Sequence, residues 1–177
     1  AKFKEDLWQR AGGGGGRTRI IQNGNVIEKG GVNFSSVYGK TPEKIADLGF
    51  MIADYPEFYA TGISIVIHPY SPMIPIIHMN LRYFEMSVIS QHPAPSTQNP
   101  VPSKWFGGGI DLTPVYIDLE DAKYFHTRLK DACEQYSSSY YPLFKKWADD
   151  YFFIKHQNET RGIGGIFFDK LSPSLTL

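Results

Sequence analysis

A chain of 177 residues, 42% of them hydrophobic, is long enough to bury one core and too short for two comfortable domains, so we predict a single folding unit over residues 1–177. Lysine plus arginine and aspartate plus glutamate both total 18, and this balance gives no reason to expect nucleic acid or an anionic membrane as a partner. Cys133 is the only cysteine, which excludes a disulfide framework or a cysteine-rich metal site within the chain.

The N-terminal segment contains a glycine run followed by a hairpin signal. Residues 11–16 read AGGGGG, so they form either a flexible linker or a stretch of backbone that comes close to a neighbour. Asn23 and Gly24 between two apolar pairs predict a type I′ β-hairpin. Thr41 followed by Pro42 is typical of a helix start, and we predict a short helix to about residue 48.

The central region is predicted to form most of the sheet. Residues 58–67 and 76–86 alternate with a period of two, which predicts two adjacent antiparallel strands. Residues 87–104, which include His92, are rich in proline and small polar residues and predict the least ordered internal loop. Residues 105–116 predict a further strand, in which glycines 107–109 mark a bulge or a close backbone approach.

The C-terminal region adds helices and one more strand. Apolar residues recur at helical spacing over 119–136 and 144–154, and the serines at 137–139 together with Pro142 separate the two helices. Residues 161–169 return to a strand pattern. The fold class is therefore α+β, a large and mostly antiparallel β-sheet covered by α-helices.

Strand alternation sorts the central side chains onto two faces. Isoleucines 63, 65 and 67 share one face with Ile77 and Met79, and helices are expected to cover it. The other face collects Ser64, His68, His78, Asn80 and Arg82. That polar face is either solvated or the floor of a cleft, because an imidazole, an amide and a guanidinium at every second position can recognise a carboxylate and exchange a proton.

Asp111 and four histidines are the remaining candidates for chemistry. Asp111 lies in an otherwise apolar strand, where it either forms a turn hydrogen bond near Pro114 or belongs to the cleft. His68, His78, His126 and His156 raise the question of a metal, but no two ligands lie within one helical turn, so the spacing argues against a compact site.

Seven segments in order resemble the oxygen-dependent coproporphyrinogen III oxidases. They are DLWQR (6–10) with the following glycines, GVNFS (31–35), VIHP (66–69), HMNLRYF (78–84), WFGGGIDLTP (105–114), YPLFKKW (141–147) and RGIGGIFFD (161–169). The resemblance spans almost the whole chain. Because members of that family continue well beyond the last match, we expect a truncated domain.

The resemblance implies a homodimer that oxidatively decarboxylates two propionates of coproporphyrinogen III to vinyl groups, with dioxygen as co-substrate and protoporphyrinogen IX as product. It implies substrate contacts at Ser64, Asn80, Leu81 and Arg82, and makes His78 the proton donor. It also matches His68, His126 and His156 to positions assigned as metal ligands. Arg82 and Arg161 suit the propionates. An ionised Asp111 could accept pyrrole N–H bonds and raise the electron density of the macrocycle for direct attack by dioxygen, so that no cofactor is required.

Two other functions remain open at this stage. One is a non-haem iron oxygenase that uses His68, His78 and Asp111 as a facial triad. The other is a non-catalytic tetrapyrrole-binding fragment. The single cysteine and the lack of a leader predict a cytoplasmic protein, with the mitochondrial intermembrane space as the alternative if a leader is missing.

Overall fold

A computed structural model describes residues 2–44, 55–87 and 103–172. Within them, the elements are β1 (Lys4–Gln9), β2 (Gly14–Gln22), β3 (Ile27–Lys40), β4 (Glu57–Pro69), β5 (Ile76–Ser87), β6 (Lys104–Thr113), α1 (Leu119–Glu134), α2 (Tyr140–Tyr151), β7 (Phe153–Ile154), β8 (Glu159–Thr160) and β9 (Gly164–Leu171). Strands β1 to β6 and β9 form one antiparallel sheet in that order, and β7 with β8 forms a small hairpin. The predicted α+β class is confirmed.

The glycine run belongs to the sheet and is not a linker. Chain reversal after β1 is closed by a hydrogen bond from the Gly13 amide to the Arg10 carbonyl, and β2 begins at Gly14. A Cβ atom at Gly16 would lie 2.3 Å from the Trp8 ring and 2.4 Å from the Phe34 carbonyl oxygen. Only glycine leaves room there for the indole to lie against the backbone of β2, as the close-approach reading predicts.

The hairpin between β2 and β3 is confirmed, but its predicted turn type is wrong. Four residues, 23–26, connect the strands, and the Asn23 amide donates to the Glu28 carbonyl. Asn23 has φ 55°, whereas Gly24 is not among the residues with positive φ. A type I′ turn needs positive φ at both central positions, so the wider loop forms instead.

The second helix begins four residues earlier than predicted. α2 begins at Tyr140, so Pro142 lies inside its first turn, where a missing amide hydrogen costs no helical hydrogen bond. α1 begins at Leu119 because the Asp118 carboxylate accepts from the amides of Glu120 and Asp121. Of the helix predicted from Thr41 to about residue 48, residues 41–44 are described: 41–42 are not helical, and 43–44 are the start of a 3₁₀ turn. The rest of that helix lies outside the described residues, as does most of the predicted loop at 87–104.

Two groups of aromatic side chains pack on the sheet, one on its central strands and one at the β9 edge. Phe58, Met86 and Trp105 form a buried cluster, in which Phe84 stacks on Trp105 at 4.4 Å between ring centroids. At the β9 edge, α2 places Phe144 against Phe168, 5.2 Å between centroids. The helices pack mainly on β9, so the expected helical cover of the apolar face does not extend, within the described residues, to all of β3–β5. Leu81, on that face, is 50% exposed.

Candidate active site

Three neighbouring rows of the sheet bring the predicted polar residues together. The register aligns Ser64 with Asn80 and Gly109, and the row beside it aligns Val66 with His78 and Asp111. The register is continuous from Ile67 opposite Ile77 to Glu57 opposite Ser87, so strand alternation places His78, Asn80 and Arg82 on one face. The prediction that these residues share a face with Ser64 and His68 is confirmed, and the His68 and His78 rings meet edge to face at 6.3 Å.

A cleft of about 530 Å³ lies over this face at the β9 side. Its floor is polar, and its wall is built by α2, the residue that follows it and β9. The aromatic side chains of this wall are Trp147, Tyr151, Phe152 and Phe167. Tyr151 stacks on Phe167 at 4.8 Å, and Trp147 meets the same ring edge-on at 5.5 Å. The cleft therefore combines an aromatic wall with a charged floor, a composition suited to a flat ligand with acidic substituents.

Asp111 is paired with Arg161 and does not hold a turn near Pro114. Its carboxylate accepts hydrogen bonds from Arg161 Nε to Oδ2 at 3.0 Å and from Arg161 Nη2 to both oxygens at 2.9 Å. Asp111 is 3% exposed, and the guanidinium also stacks over the Phe152 ring at 4.0 Å. In this structure Arg161, predicted to hold a substrate carboxylate, binds the chain's own carboxylate.

His78 is the titratable group next to this pair. Its Nδ1 lies 3.5 Å from Asp111 Oδ2, too long and too poorly aligned to make a hydrogen bond. Burial lowers the pKa of His78 below its ordinary value, the Asp111 carboxylate opposes that shift, and the charges of Arg161 and His68 add to it. The neutral imidazole is therefore the favoured form near pH 7.

We expect the lowered pKa of His78 to reduce stability in acid. As the pH falls, the unfolded chain takes up a proton on His78 near pH 6.5, before the folded chain does. The contribution of neutral His78 to the free energy of unfolding is therefore present above that pH and is lost as the pH falls through the folded pKa. Unfolding free energies of the parent protein and of His78→Asn, measured from about pH 8 to pH 5, should converge as the pH falls. His156→Asn, at an exposed turn, is the control. A constant difference across that range would contradict the assignment.

Arg82 lies two residues from Asn80 and carries the most accessible cation of the cleft floor. Its side chain is 46% exposed, and Nη2 is 3.1 Å from Oδ1 of Asp169. Its aligned neighbours are Gly62 and Gly107, so no side chain flanks it within its own row. Arg161 contacts both oxygens of one carboxylate, whereas Arg82 makes a single ion-pair contact. Arg82 therefore keeps N–H donors free for a ligand.

Leu81 does not share this site through its side chain. It lies between Asn80 and Arg82 and so points to the opposite face, where it lines a larger cavity of about 1430 Å³ with Phe34, Phe106 and Phe168. The described residues that line that cavity include no histidine, aspartate or glutamate. The groups suited to acid–base chemistry lie in the smaller cleft, where cations, carboxylates and an imidazole meet.

The four histidines do not form one cluster. His126 Nε2 is 2.8 Å from the Ile163 carbonyl oxygen and its Nδ1 is 3.0 Å from the Tyr141 hydroxyl, so both ring nitrogens have protein partners. His156 is exposed in the turn between β7 and β8. Within residues 2–44, 55–87 and 103–172, no three His, Cys, Asp or Glu side chains are placed to hold a metal, and this includes the predicted triad of His68, His78 and Asp111.

Sequence reasoning missed the acidic partner of Arg82 and the wall of the cleft. Asp169 appeared only as the end of a matching segment, and Trp147 and Tyr151 only as part of an amphipathic helix. The signal for Asp169 was weak, because its position beside Arg82 depends on the pairing of β9 with β6. The aromatic wall was indicated only by the high aromatic content of 15%.

The sequence of this chain is similar to one family of known proteins. The family model described as Coproporphyrinogen III oxidase matches residues 1–176. The chain belongs to this family. Coproporphyrinogen-III oxidase 1, chloroplastic, of Arabidopsis thaliana is 51% identical over 176 residues, and the oxygen-dependent coproporphyrinogen-III oxidase of Drosophila melanogaster is 49% identical over 180.

The matches leave much of each relative uncovered. They include 97% of this chain but 44% of the Arabidopsis protein, and 97% but 45% of the oxygen-dependent coproporphyrinogen-III oxidase, chloroplastic, of Glycine max. The chain thus spans less than half the length of these coproporphyrinogen oxidases. Neither helix in the described part of the chain is long and apolar enough to cross a membrane.

Proposed function

We propose that the chain serves the oxidative decarboxylation of coproporphyrinogen III to protoporphyrinogen IX. In each of two steps a propionate loses its carboxyl group as carbon dioxide and becomes a vinyl group. Dioxygen takes the two electrons and, with two protons, leaves as hydrogen peroxide. The observation that carries the proposal is the cleft floor, where the accessible guanidinium of Arg82 lies on the same face as His78 in a chain that matches this family.

Each floor residue has a role that its environment supports. Arg82 holds the carboxylate of the reacting or a neighbouring propionate. His78 supplies one of the protons that reduced dioxygen needs; because burial lowers its pKa, it must first take up that proton. Asp111 accepts a pyrrole N–H bond, since a carboxylate has about four acceptor positions and its contacts with Arg161 do not use them all. Ser64 and Asn80 provide further polar contacts.

We further propose that the enzyme works as a homodimer and requires no cofactor besides dioxygen. The support is the resemblance to the family and, for the chemistry, an electron-rich pyrrole that dioxygen can oxidise directly. For the compartment we keep the cytoplasm as our proposal. The plant relatives are named chloroplastic, which concerns those proteins.

An assay on the protein in its full encoded length tests this function. Coproporphyrinogen III in air should give protoporphyrinogen IX with one peroxide per vinyl group formed, and no product without oxygen. Activity that a chelator removes and iron restores would favour the iron oxygenase instead. Tight binding without peroxide would favour the non-catalytic tetrapyrrole-binding module.

Arg82→Ala is expected to raise KM by about tenfold or more, because a hydrogen bond to a charged group contributes about 1.5–3 kcal/mol. kcat should change much less, since the guanidinium holds the propionate in both the ground and the transition state. Arg128→Ala, which removes a 65% exposed arginine from a surface ion pair of α1, is the matched control. An unchanged KM in Arg82→Ala would remove this residue from the binding site.

A further inference from the structure

The ion pair between Arg82 and Asp169 occupies space that a single glycine leaves open. A Cβ atom at Gly107 would lie 2.5 Å from Arg82 Nε and 2.6 Å from Asp169 Oδ1. Gly62 lies on the other side of Arg82. A Cβ atom there would stay at least 3.4 Å from the Arg82 side chain, so the guanidinium has room on that side as well. The guanidinium nevertheless lies towards Gly107, on the side where Asp169 is.

The register of β9 with β6 places Asp169 there. Gly108 aligns with Phe168 and Phe106 with Leu171, so two residues of β9, Asp169 and Lys170, lie opposite the single Gly107 of β6. Lys170 takes up the extra residue with φ 54°, in the left-handed region. Asp169 lies two residues from Phe167 and shares the cleft face with it by ordinary alternation, whereas the bulge after Asp169 returns Leu171 to the opposite face.

We propose that Asp169 is a positioning residue that holds the Arg82 guanidinium over Gly107 to receive one substrate carboxylate. The proposal rests on the proposed function. An exposed arginine samples many rotamers and loses this conformational entropy when it binds a ligand. A group that fixes the arginine before binding reduces the loss. The Phe167 ring, 6.0 Å from the guanidinium carbon, offers a looser second contact.

Arg82 also has more free donors than the other arginine of the cleft. Arg161 contacts both oxygens of Asp111 through Nε and Nη2, whereas Arg82 makes one ion-pair contact with Asp169. Among the described cleft residues, Arg82 is therefore the arginine better placed to bind a substrate carboxylate.

Binding of coproporphyrin III, the oxidised fluorescent form of the proposed substrate, tests the role of Asp169. Titrations would compare the protein in its full encoded length with Asp169→Asn, an isosteric change that removes the charge. Affinity should fall about two- to tenfold, the range for immobilising one rotamer-rich side chain, and Asp169→Glu should recover part of the loss. Asp150→Asn, which removes a carboxylate from an exposed ion pair of α2, should bind like the parent.

A double-mutant cycle separates positioning from a general structural role. In an Arg82→Ala background, Asp169→Asn should cause no further loss, because the residue it positions is gone. Gly107→Ala is the independent variant: its Cβ displaces the flexible end of Arg82, so it should weaken binding while thermal melts stay near the parent value.

The outcomes distinguish this inference from the function on which it rests. If Asp169→Asn binds equally or more tightly while Arg82→Ala binds more weakly, Asp169 only competes with the ligand and the inference is overturned. Loss of affinity that persists in the Arg82→Ala background would also overturn it. If Arg82→Ala itself leaves affinity unchanged, the carboxylate contact of the proposed function fails instead.

Discussion

Arg161→Met is expected to lower the free energy of unfolding by about 2 kcal/mol, less than the roughly 3–5 kcal/mol for a fully buried pair because the arginine is partly hydrated. The change leaves the Asp111 carboxylate, which is 3% exposed, without the guanidinium that contacts both of its oxygens. Methionine keeps most of the aliphatic volume against Phe152, so the loss reports the charge and not a cavity.

Replacing Asp111, the other member of this ion pair, should lower the free energy of unfolding by less. Asp111→Asn leaves behind Arg161, whose side chain is 36% exposed and stacked on an aromatic ring, so water can solvate the guanidinium. We expect a loss of about 1 kcal/mol for this variant. Arg128→Met, at a 65% exposed position, should stay within about 0.5 kcal/mol of the parent. Chemical denaturation of the three variants measures the order, and a larger loss for Asp111→Asn than for Arg161→Met would contradict this account of the pair.

Asp111→Asn is expected to lose more turnover than Arg161→Met, the reverse of their order in stability. Asp111→Asn or Asp111→Ala is expected to lower kcat by about a hundredfold or more, as is typical when an electrostatic or proton-transfer group is removed. Asp111 is the member of the pair proposed to contact the substrate, whereas Arg161 acts through it. Arg161→Met should therefore lose less turnover than Asp111→Asn although it loses more stability.

This crossed ranking decides between chemistry and structure for Asp111. If the carboxylate only pairs with Arg161, breaking the pair from either side removes the same interaction, and activity should fall in step with stability. Kinetics run beside thermal melts would show that correlation. A near-normal kcat in Asp111→Asn would remove the residue from the reaction.

The sequence alone determined those features that depend on local periodicity. The alternation over residues 76–86 was sufficient to place His78, Asn80 and Arg82 on one face, because neighbouring side chains of a strand point to opposite sides. The same rule placed Leu81 on the opposite face, even though resemblance to the family grouped it with its neighbours. The α+β class followed equally from the change between periods of two and 3.6.

Only the tertiary structure decided how the charges of the cleft are paired. Arg161 and Asp111 are 50 residues apart, and they meet because β9 pairs with β6 across two intervening helices. Asp169 faces Arg82 because the register of β9 with β6 sets Asp169 opposite Gly107, the neighbour of Arg82 in its row, and no alternating pattern within one strand reveals that register. Local sequence fixes the direction of a side chain within its own strand, but its partner depends on register between strands, which packing of the whole sheet sets.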